Sequence, residues 1–275
     1  MLTASIVTYK TDARELHRCL ECMRRDGADR IFIVDNFATD PVTGLKALDL
    51  DPTASPDLEY ICGQGNVGYG TAHNLAIRRA MDMGAEYHLV INSDVYFDSD
   101  TLPRIRDYMN AYPDVGQLQP RIVYPDGREQ YSSRLLPTPL DMFGRMALPE
   151  RLFRTRNSRY LLADRPEGKS LNIPYHQGSF MFFRMLALRE VGLFDERFFM
   201  YPEDIDITRR VHEKFTTLYW PEVTVVHAHR AASKHNWKMR KIHIVNMIRY
   251  FNKWGWFADP LRRRFNRAAL RQLTD

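Results

Sequence analysis

The chain has 275 residues, 44% of them hydrophobic and 12% aromatic, which is enough apolar side chain to fill one sizeable core. Charged residues at 27%, with 14 Gly and 15 Pro, exclude a collagenous, low-complexity or wholly disordered polypeptide. The net charge of +5 hides an asymmetry: from His229 to Asp275 twelve Lys/Arg stand against two acids, a balance of +10 that leaves −5 on the remainder.

The first residues, MLTASIVTYKTD, have no basic stretch before the apolar run and no small-residue cleavage site after it. They read as a first strand, Ala4–Tyr9, and not as a secretion signal. No apolar run reaches the roughly 18 residues needed to span a bilayer. The three cysteines, Cys19, Cys22 and Cys62, are odd in number and too few for a disulfide framework, so a reducing, cytoplasmic setting is expected. Cys19 and Cys22 form a C-x-x-C, but they lie in a predicted helix, residues 12–25, with no second pair or nearby His. They read as small apolar filler.

A strand at Ile31–Val34, a strand at Leu58–Cys62, a helix at Thr71–Met83, a strand at Tyr87–Asn92 and a helix at Thr101–Tyr112 follow in order. Such alternation implies βαβ units and a mostly parallel sheet, with ligands bound at the carboxyl ends of its strands. That directs attention to Thr8/Tyr9, Asp35/Asn36, residues 63–70 and Asn92–Asp94. From Val115 to Pro174 the pattern fades into Pro- and Arg-rich sequence, including FGRMALPERLFRTRNSRYLL, expected as a loop or a basic amphipathic helix. Order resumes at Gln177–Arg184, then a helix near Leu186–Val191 and strands near Leu218–Trp220 and Thr224–Val226. The last forty residues open with a helical pattern (Trp237, Ile244, Met247, Ile248, Phe251), carry Trp254, Trp256 and Phe257, and end in basic sequence expected to fray.

Four constellations carry chemistry. Gly63-Gln64-Gly65-Asn66-Val67-Gly68 satisfies G-x-G-x-x-G after a strand and before a helix. Two strands precede it, however, and no acid closes the following strand, so a nicotinamide-binding oxidoreductase is only an alternative. The milder reading is a loop whose backbone closely approaches a nucleotide or its phosphates. Asn92-Ser93-Asp94 follows a buried strand and offers a carboxylate for a divalent cation, although Asn and Asp are also common turn formers. Between Phe194 and Asp206 five carboxylates flank an aromatic run. If a helix starts near Pro202, Glu203, Asp204 and Asp206 fall in its first turn, as caps or as functional groups, and Asp204 in a cleft with Asp94 would serve as a general base. Finally, His227-Ala228-His229 ends a strand, as a structural residue or as an added metal ligand.

Asp35, the glycine loop, the N-x-D, a Glu203-Asp204-x-Asp206 placed 110 residues beyond Asp94 and a His 23 further on together resemble the family-2 glycosyltransferases of GT-A fold. The nearest likeness is to bacterial rhamnosyltransferases and related enzymes of surface-polysaccharide assembly. It extends from about residue 3 to 252 and is most specific at Gly65–Gly70 with Asn74, at Asn92–Val95, at Gly192–Glu196 and at Phe199–Asp206 with Arg209. The resemblance implies a Rossmann-like α/β domain over 1–235, its nucleotide-sugar half at 1–114 and its acceptor and catalytic half at 115–235, followed by a basic amphipathic helical tail at 236–275.

It also implies roles. Thr8 and Asp35 would hold the nucleoside, with Asp35 accepting from the base, while Asn66 and Gly68 pack near the donor. Asn92 and Asp94 form the D-x-D-like motif, Asp94 with His227 binds Mg²⁺ or Mn²⁺, Asp204 is the base, and Glu203 and Arg209 face the acceptor. Ser93 where Pro is frequent, Leu193 where Gly is frequent and Phe215 where Gly often follows the helix are departures expected to reshape loops only. The expected function is inverting, metal-dependent transfer of L-rhamnose from dTDP-rhamnose, or another sugar from a dTDP- or UDP-sugar, to a saccharide acceptor carried on polyprenyl diphosphate. The basic tail suits an anionic membrane surface on the inner face of the cell membrane, or alternatively a homodimer contact or plain solvation. A non-catalytic nucleotide-sugar-binding protein is a further alternative. Nucleic acid is not expected as a partner, because no reading motif accompanies the charge.

Overall fold

The computed structural model describes residues 1–51, 53, 55, 57–144, 150–228 and 237–274. Part of the Arg-rich segment, residues 145–149, and the stretch 229–236 with its His229 lie outside the described residues.

Strands β1 (Leu2–Thr8), β2 (Arg30–Asp35), β3 (Leu58–Ile61) and β4 (Tyr87–Ile91) form the parallel part of the sheet in the order β3-β2-β1-β4. β4 is buried along its whole length, as expected of an apolar strand covered on both faces. Helix α1 (Ala13–Arg25) begins where the Asp12 carboxylate accepts from the backbone N–H groups of Arg14 and Glu15. Its buried face, Leu16, Cys19, Leu20, Cys22 and Met23, packs on the sheet, and both thiols donate to backbone carbonyls, of Asn92 and Phe97. Helices α2 (Pro41–Ala47) and α3 (Tyr69–Asp82) complete this half.

β5 (Val95–Phe97) and α4 (Thr101–Ala111) lead to β6 (Val115–Val123), which lies deep in the nine-stranded sheet and not in a faded stretch. Its sequence conceals it: Gln117 and Gln119 are fully buried, and Pro120 interrupts the run. Pro is rare in interior strands because it donates no ladder bond. Here Pro120 faces Trp220 at the point where the partner strand β11 (Thr216–His227) shifts register before Thr224. The bulge absorbs the missing N–H, and the two short strands expected at 218–220 and 224–226 are one.

After β6 come β7 (Ser133–Arg134), α5 (Glu150–Leu161), β8 (Leu171–Asn172), β9 (Tyr175–His176), β10 (Phe180–Arg184), α6 (Met185–Val191) and α7 (Pro202–His212). β10 runs antiparallel between β4 and β6, so one sheet joins the two expected halves. The expectation of a fraying tail is corrected. Helices α8 (Trp237–Trp254) and α9 (Pro260–Arg271) bring Met247, Tyr250, Phe251, Phe265 and Ala269 into a buried cluster with Leu135, Tyr160, Tyr175, Phe198 and Ile205. Asp259 caps α9 and forms a bidentate ion pair with Arg209, both at 2.7 Å. No helix among the described residues is long and apolar enough to cross a membrane.

Candidate active site

The turn after β4 is pinned where the Asn92 N–H donates to the Ser179 carbonyl at 3.0 Å and the Val95 N–H to the Asn92 carbonyl at 3.2 Å. β11 pairs antiparallel with β5, setting His227 opposite Val95, and the Ala228 N–H donates to the Asp94 carbonyl at 3.0 Å. Two segments 133 residues apart in the chain therefore meet: His227 Nε2 lies 3.3 Å from Asp94 Oδ1 and 3.5 Å from Asn92 Nδ2. His227 is 2% exposed, and the Asp94 side chain 19%. A carboxylate oxygen and an imidazole nitrogen converging at this distance suit a divalent cation such as Mg²⁺ or Mn²⁺. Among the described residues no third His, Cys, Asp or Glu joins them. Behind the ring stands Gln130, a residue sequence reasoning passed over; its Nε2 donates to the His227 carbonyl at 2.7 Å and its Oε1 lies 2.9 Å from Nδ1.

The five carboxylates between Phe194 and Asp206 separate by their partners. Asp195 pairs with Arg197 and Lys253, Glu196 with Arg78, and Asp206 with Arg210 and Lys253, the last also accepting from the Trp254 indole. These three hold loops and α8 in place. Glu203 and Asp204 form no ion pair among the described residues and are buried. Asp204 opens α7, where Oδ1 accepts from the Ile205 N–H at 2.8 Å and Oδ2 from the Gly178 N–H at 3.0 Å and the Tyr175 hydroxyl at 3.4 Å. Burial, resisted by those hydrogen bonds, pushes its pKa up to about 7. Glu203 is raised well above the carboxylate range by burial and by the Asp204 charge, and its Oε2 has no hydrogen-bond partner. Just before them Tyr201 adopts φ +92°, its ring 4.6 Å from His243 on α8, and strain of this kind in a non-glycine residue collects at functional sites.

Tyr69 bridges the two clusters. Its hydroxyl donates to the Gly178 carbonyl at 2.6 Å and lies 3.0 Å from Asn92 Oδ1, so an unbroken path runs from His227 through Asn92, Tyr69 and Gly178 to Asp204. Tyr69 and Gly178 were legible only as members of the GYG and QGSF segments.

The other expected residues lie at the neighbouring strand ends. Thr8 and Asp35 are register partners at the tips of β1 and β2. The Thr8 hydroxyl, Gln64 Oε1 and the Ser179 hydroxyl are buried without a hydrogen-bond partner. Asp35 is already engaged: Oδ1 accepts from the Phe37 and Ala38 N–H groups and Oδ2 from the Tyr60 hydroxyl at 2.7 Å. Asn66 Oδ1 receives the Gly68 N–H at 3.3 Å and so stabilises its own loop. At Gly68, φ is +91° and an added Cβ would stand 2.3 Å from the Phe199 carbonyl oxygen. The close approach this glycine permits is to the protein backbone at Phe199. Arg209 is 1% exposed, paired with Asp259 and 4.0 Å over the Trp254 ring, so its guanidinium is turned toward α9.

The sequence pattern of glycosyl transferase family 2 matches residues 3–192. The chain belongs to that family. This glycosyltransferase is 29% identical over 221 residues to the N-acetylglucosaminyl-diphospho-decaprenol L-rhamnosyltransferase of Mycobacterium tuberculosis, covering 74% of this chain and 67% of the relative. It is 26% identical over 219 residues to the low-salt glycan biosynthesis hexosyltransferase Agl10 of Haloferax volcanii, covering 78% of this chain and 62% of that one. Among solved structures, the mannosyltransferase of Pyrobaculum calidifontis with GDP-Man and Mn²⁺ superposes with a TM-score of 0.59 at 18% identity, over 99% of this chain and 74% of that one. GalNAc-T7 with UDP, GalNAc and Mn²⁺ gives 0.61 at 13% identity, over 83% of this chain but only 44% of that one. At such identities the structures establish the shared GT-A fold. The family match sets aside the nicotinamide oxidoreductase that the glycine loop alone suggested.

Proposed function

We propose that the enzyme transfers a sugar, L-rhamnose from dTDP-rhamnose, with inversion to a saccharide on polyprenyl diphosphate. The observation that carries this reading is the continuous path from His227 and Asp94 to Asp204, a base beside a site for a leaving diphosphate. The unpartnered polar atoms of Thr8, Gln64 and Ser179 offer a nucleotide hydrogen-bond partners at the strand ends. The rhamnose donor and lipid-linked acceptor are supported by the likeness to the mycobacterial rhamnosyltransferase.

Asp204 would take the proton from the acceptor hydroxyl as that oxygen bonds to the anomeric carbon. The carbon–oxygen bond to the diphosphate breaks with its electron pair leaving on the nucleotide, and inversion follows from this single displacement. Burial raises Asp204 to a basicity useful near neutral pH, while Gly178, Tyr175 and Ile205 orient its oxygens. Asp94 and His227 would hold a divalent cation, Mg²⁺ or Mn²⁺, that offsets charge building on the departing diphosphate. Glu203, whose carboxyl is shifted toward its protonated form by burial and the Asp204 charge, would be an acceptor-side donor.

The lipid-linked acceptor accords with the outer face of α9. Arg263, Arg264, Arg267 and Arg271 form no ion pair among the described residues, and Phe257, whose carbonyl accepts from Arg263, is 79% exposed. Each arginine at an anionic bilayer contributes about 1 kcal/mol, and an exposed ring adds an interfacial anchor.

The test is transfer from dTDP-rhamnose, UDP-glucose and GDP-mannose to a short-chain polyprenyl-diphosphate GlcNAc, with the product linkage read by NMR. Rhamnose transfer with inversion is expected. A retained anomeric configuration would remove Asp204 as base, and preference for another donor would replace the sugar assignment.

A further inference from the structure

We infer that Gln130 is a positioning residue that sets the tautomer and orientation of His227. The inference rests on the proposed role of His227 as a ligand, but its first test is independent of that role. Gln130 sits just past the tight turn that leaves β6: the Tyr124 N–H donates to the Arg128 carbonyl at 2.8 Å, and the Gln130 N–H to the Ile122 carbonyl at 2.8 Å. The turn lays its side chain, 6% exposed, against the end of β11.

A backbone carbonyl only accepts, so the Gln130 atom 2.7 Å from the His227 carbonyl is the amide nitrogen. That fixes Oε1 as the atom 2.9 Å from His227 Nδ1. An amide oxygen also only accepts, so Nδ1 carries the proton. The lone pair of the neutral ring is then on Nε2, the nitrogen that faces Asp94 Oδ1 at 3.3 Å. Free imidazole side chains favour the opposite tautomer, with the proton on Nε2, which would turn a donor toward the carboxylate and block coordination. One buried amide, used at both ends, sets the identity of the ligating atom and clamps the ring to its own backbone. Partners of this kind typically shift metal affinity 10–100-fold.

The experiment uses the full chain in wild-type, Gln130→Met and Gln130→Glu forms. Long-range ¹H–¹⁵N spectra of ¹⁵N-histidine protein without metal, with His227 assigned through His227→Gln, report which ring nitrogen is protonated. Wild type and Gln130→Glu should show Nδ1–H, because both keep an acceptor, while Gln130→Met should move toward Nε2–H. Mn²⁺ titration followed by EPR should then show binding weakened about 10–100-fold in Gln130→Met and less in Gln130→Glu, which keeps the acceptor at Nδ1 but sets a carboxylate oxygen against the His227 carbonyl. Unchanged tautomer and affinity in a Gln130→Met protein that melts as wild type would overturn the inference. The expected tautomers with no Mn²⁺ binding by wild type would uphold the positioning role and overturn the metal reading instead.

Discussion

Asp204→Asn should make the enzyme slower and, above neutral pH, more stable. Burial lifts the carboxyl from 3.8 to about 7, so holding it ionised in the folded protein at pH 8 costs about 4 kcal/mol at 1.36 kcal/mol per pH unit. A raised constant is a penalty absent below the unfolded value near 4, growing as the pH rises and complete above 7. The neutral amide escapes it. Part of the gain is lost, because the side chain receives donors on both oxygens, from Ile205 on one and from Gly178 and Tyr175 on the other. The amide's NH₂ group must face one of these sets, at about 1–3 kcal/mol. The variant is therefore expected to gain about 1–3 kcal/mol at pH 8, roughly 2–4 °C in Tm per kcal/mol for a chain of this size. At pH 5, where wild-type Asp204 is mostly protonated, the advantage should vanish. Turnover should fall about 10²–10⁴-fold, the usual worth of a general base. Thermal melts from pH 5 to 8 with transfer assays would check both. Equal turnover, or a variant less stable by the same margin at every pH, would refute the reasoning.

Four further outcomes follow from packing and charge. Gly68→Ala should cost about 2–4 kcal/mol by urea unfolding, because its Cβ meets the Phe199 carbonyl at 2.3 Å and φ is +91°. Arg209→Met should cost up to about 3–5 kcal/mol by stripping buried Asp259 of its bidentate partner and leaving it only the Arg262 guanidinium, at 3.9 Å, and adding Asp259→Leu should recover much of that in a double-mutant cycle. His88 is held neutral by burial, its pKa lowered to about 3, so its contribution to stability should fall as the pH drops below about 6.5, where unfolded histidine takes up a proton, against the opposite drift from Asp204. A Tm difference between wild type and His88→Gln that stays constant from pH 6.5 to 4 would contradict that. Replacing Arg263, Arg267 and Arg271 with Gln should abolish flotation on phosphatidylglycerol vesicles while leaving transfer to a water-soluble acceptor unchanged; flotation independent of anionic lipid would oppose the membrane role.

The parallel half was readable because each of its strands is a short, mostly apolar run closed by a turn, and the candidate strand ends followed from that. The Asn92–Asp94 and His227 neighbourhood was legible only through the family resemblance, since adjacency across 133 residues is set by β5 and β11 pairing. β6 was missed because buried glutamines satisfy carbonyls inside the sheet, as Gln119 does for Gln177 and Phe180, and a polar strand has no apolar period to detect. Arg209 shows the reverse: the sequence around it names no partner, and only the position of Asp259, fifty residues later, shows what it pairs with. Gln130 had no local signature at all.

The bulge in β11 acts as a length gauge. Three residues, 221–223, separate the stretch of strand in register with the start of β6 from the stretch that ends at His227. Because strand side chains alternate, removing one of them would turn His227 to the far face of the sheet, and removing two would keep its face but draw it back by roughly 6–7 Å. Either change breaks the contact with Asp94 without touching a residue of the site. Substitutions across 221–223 should therefore be far better tolerated than any change in their number, so that a single-codon deletion there would read as an active-site lesion.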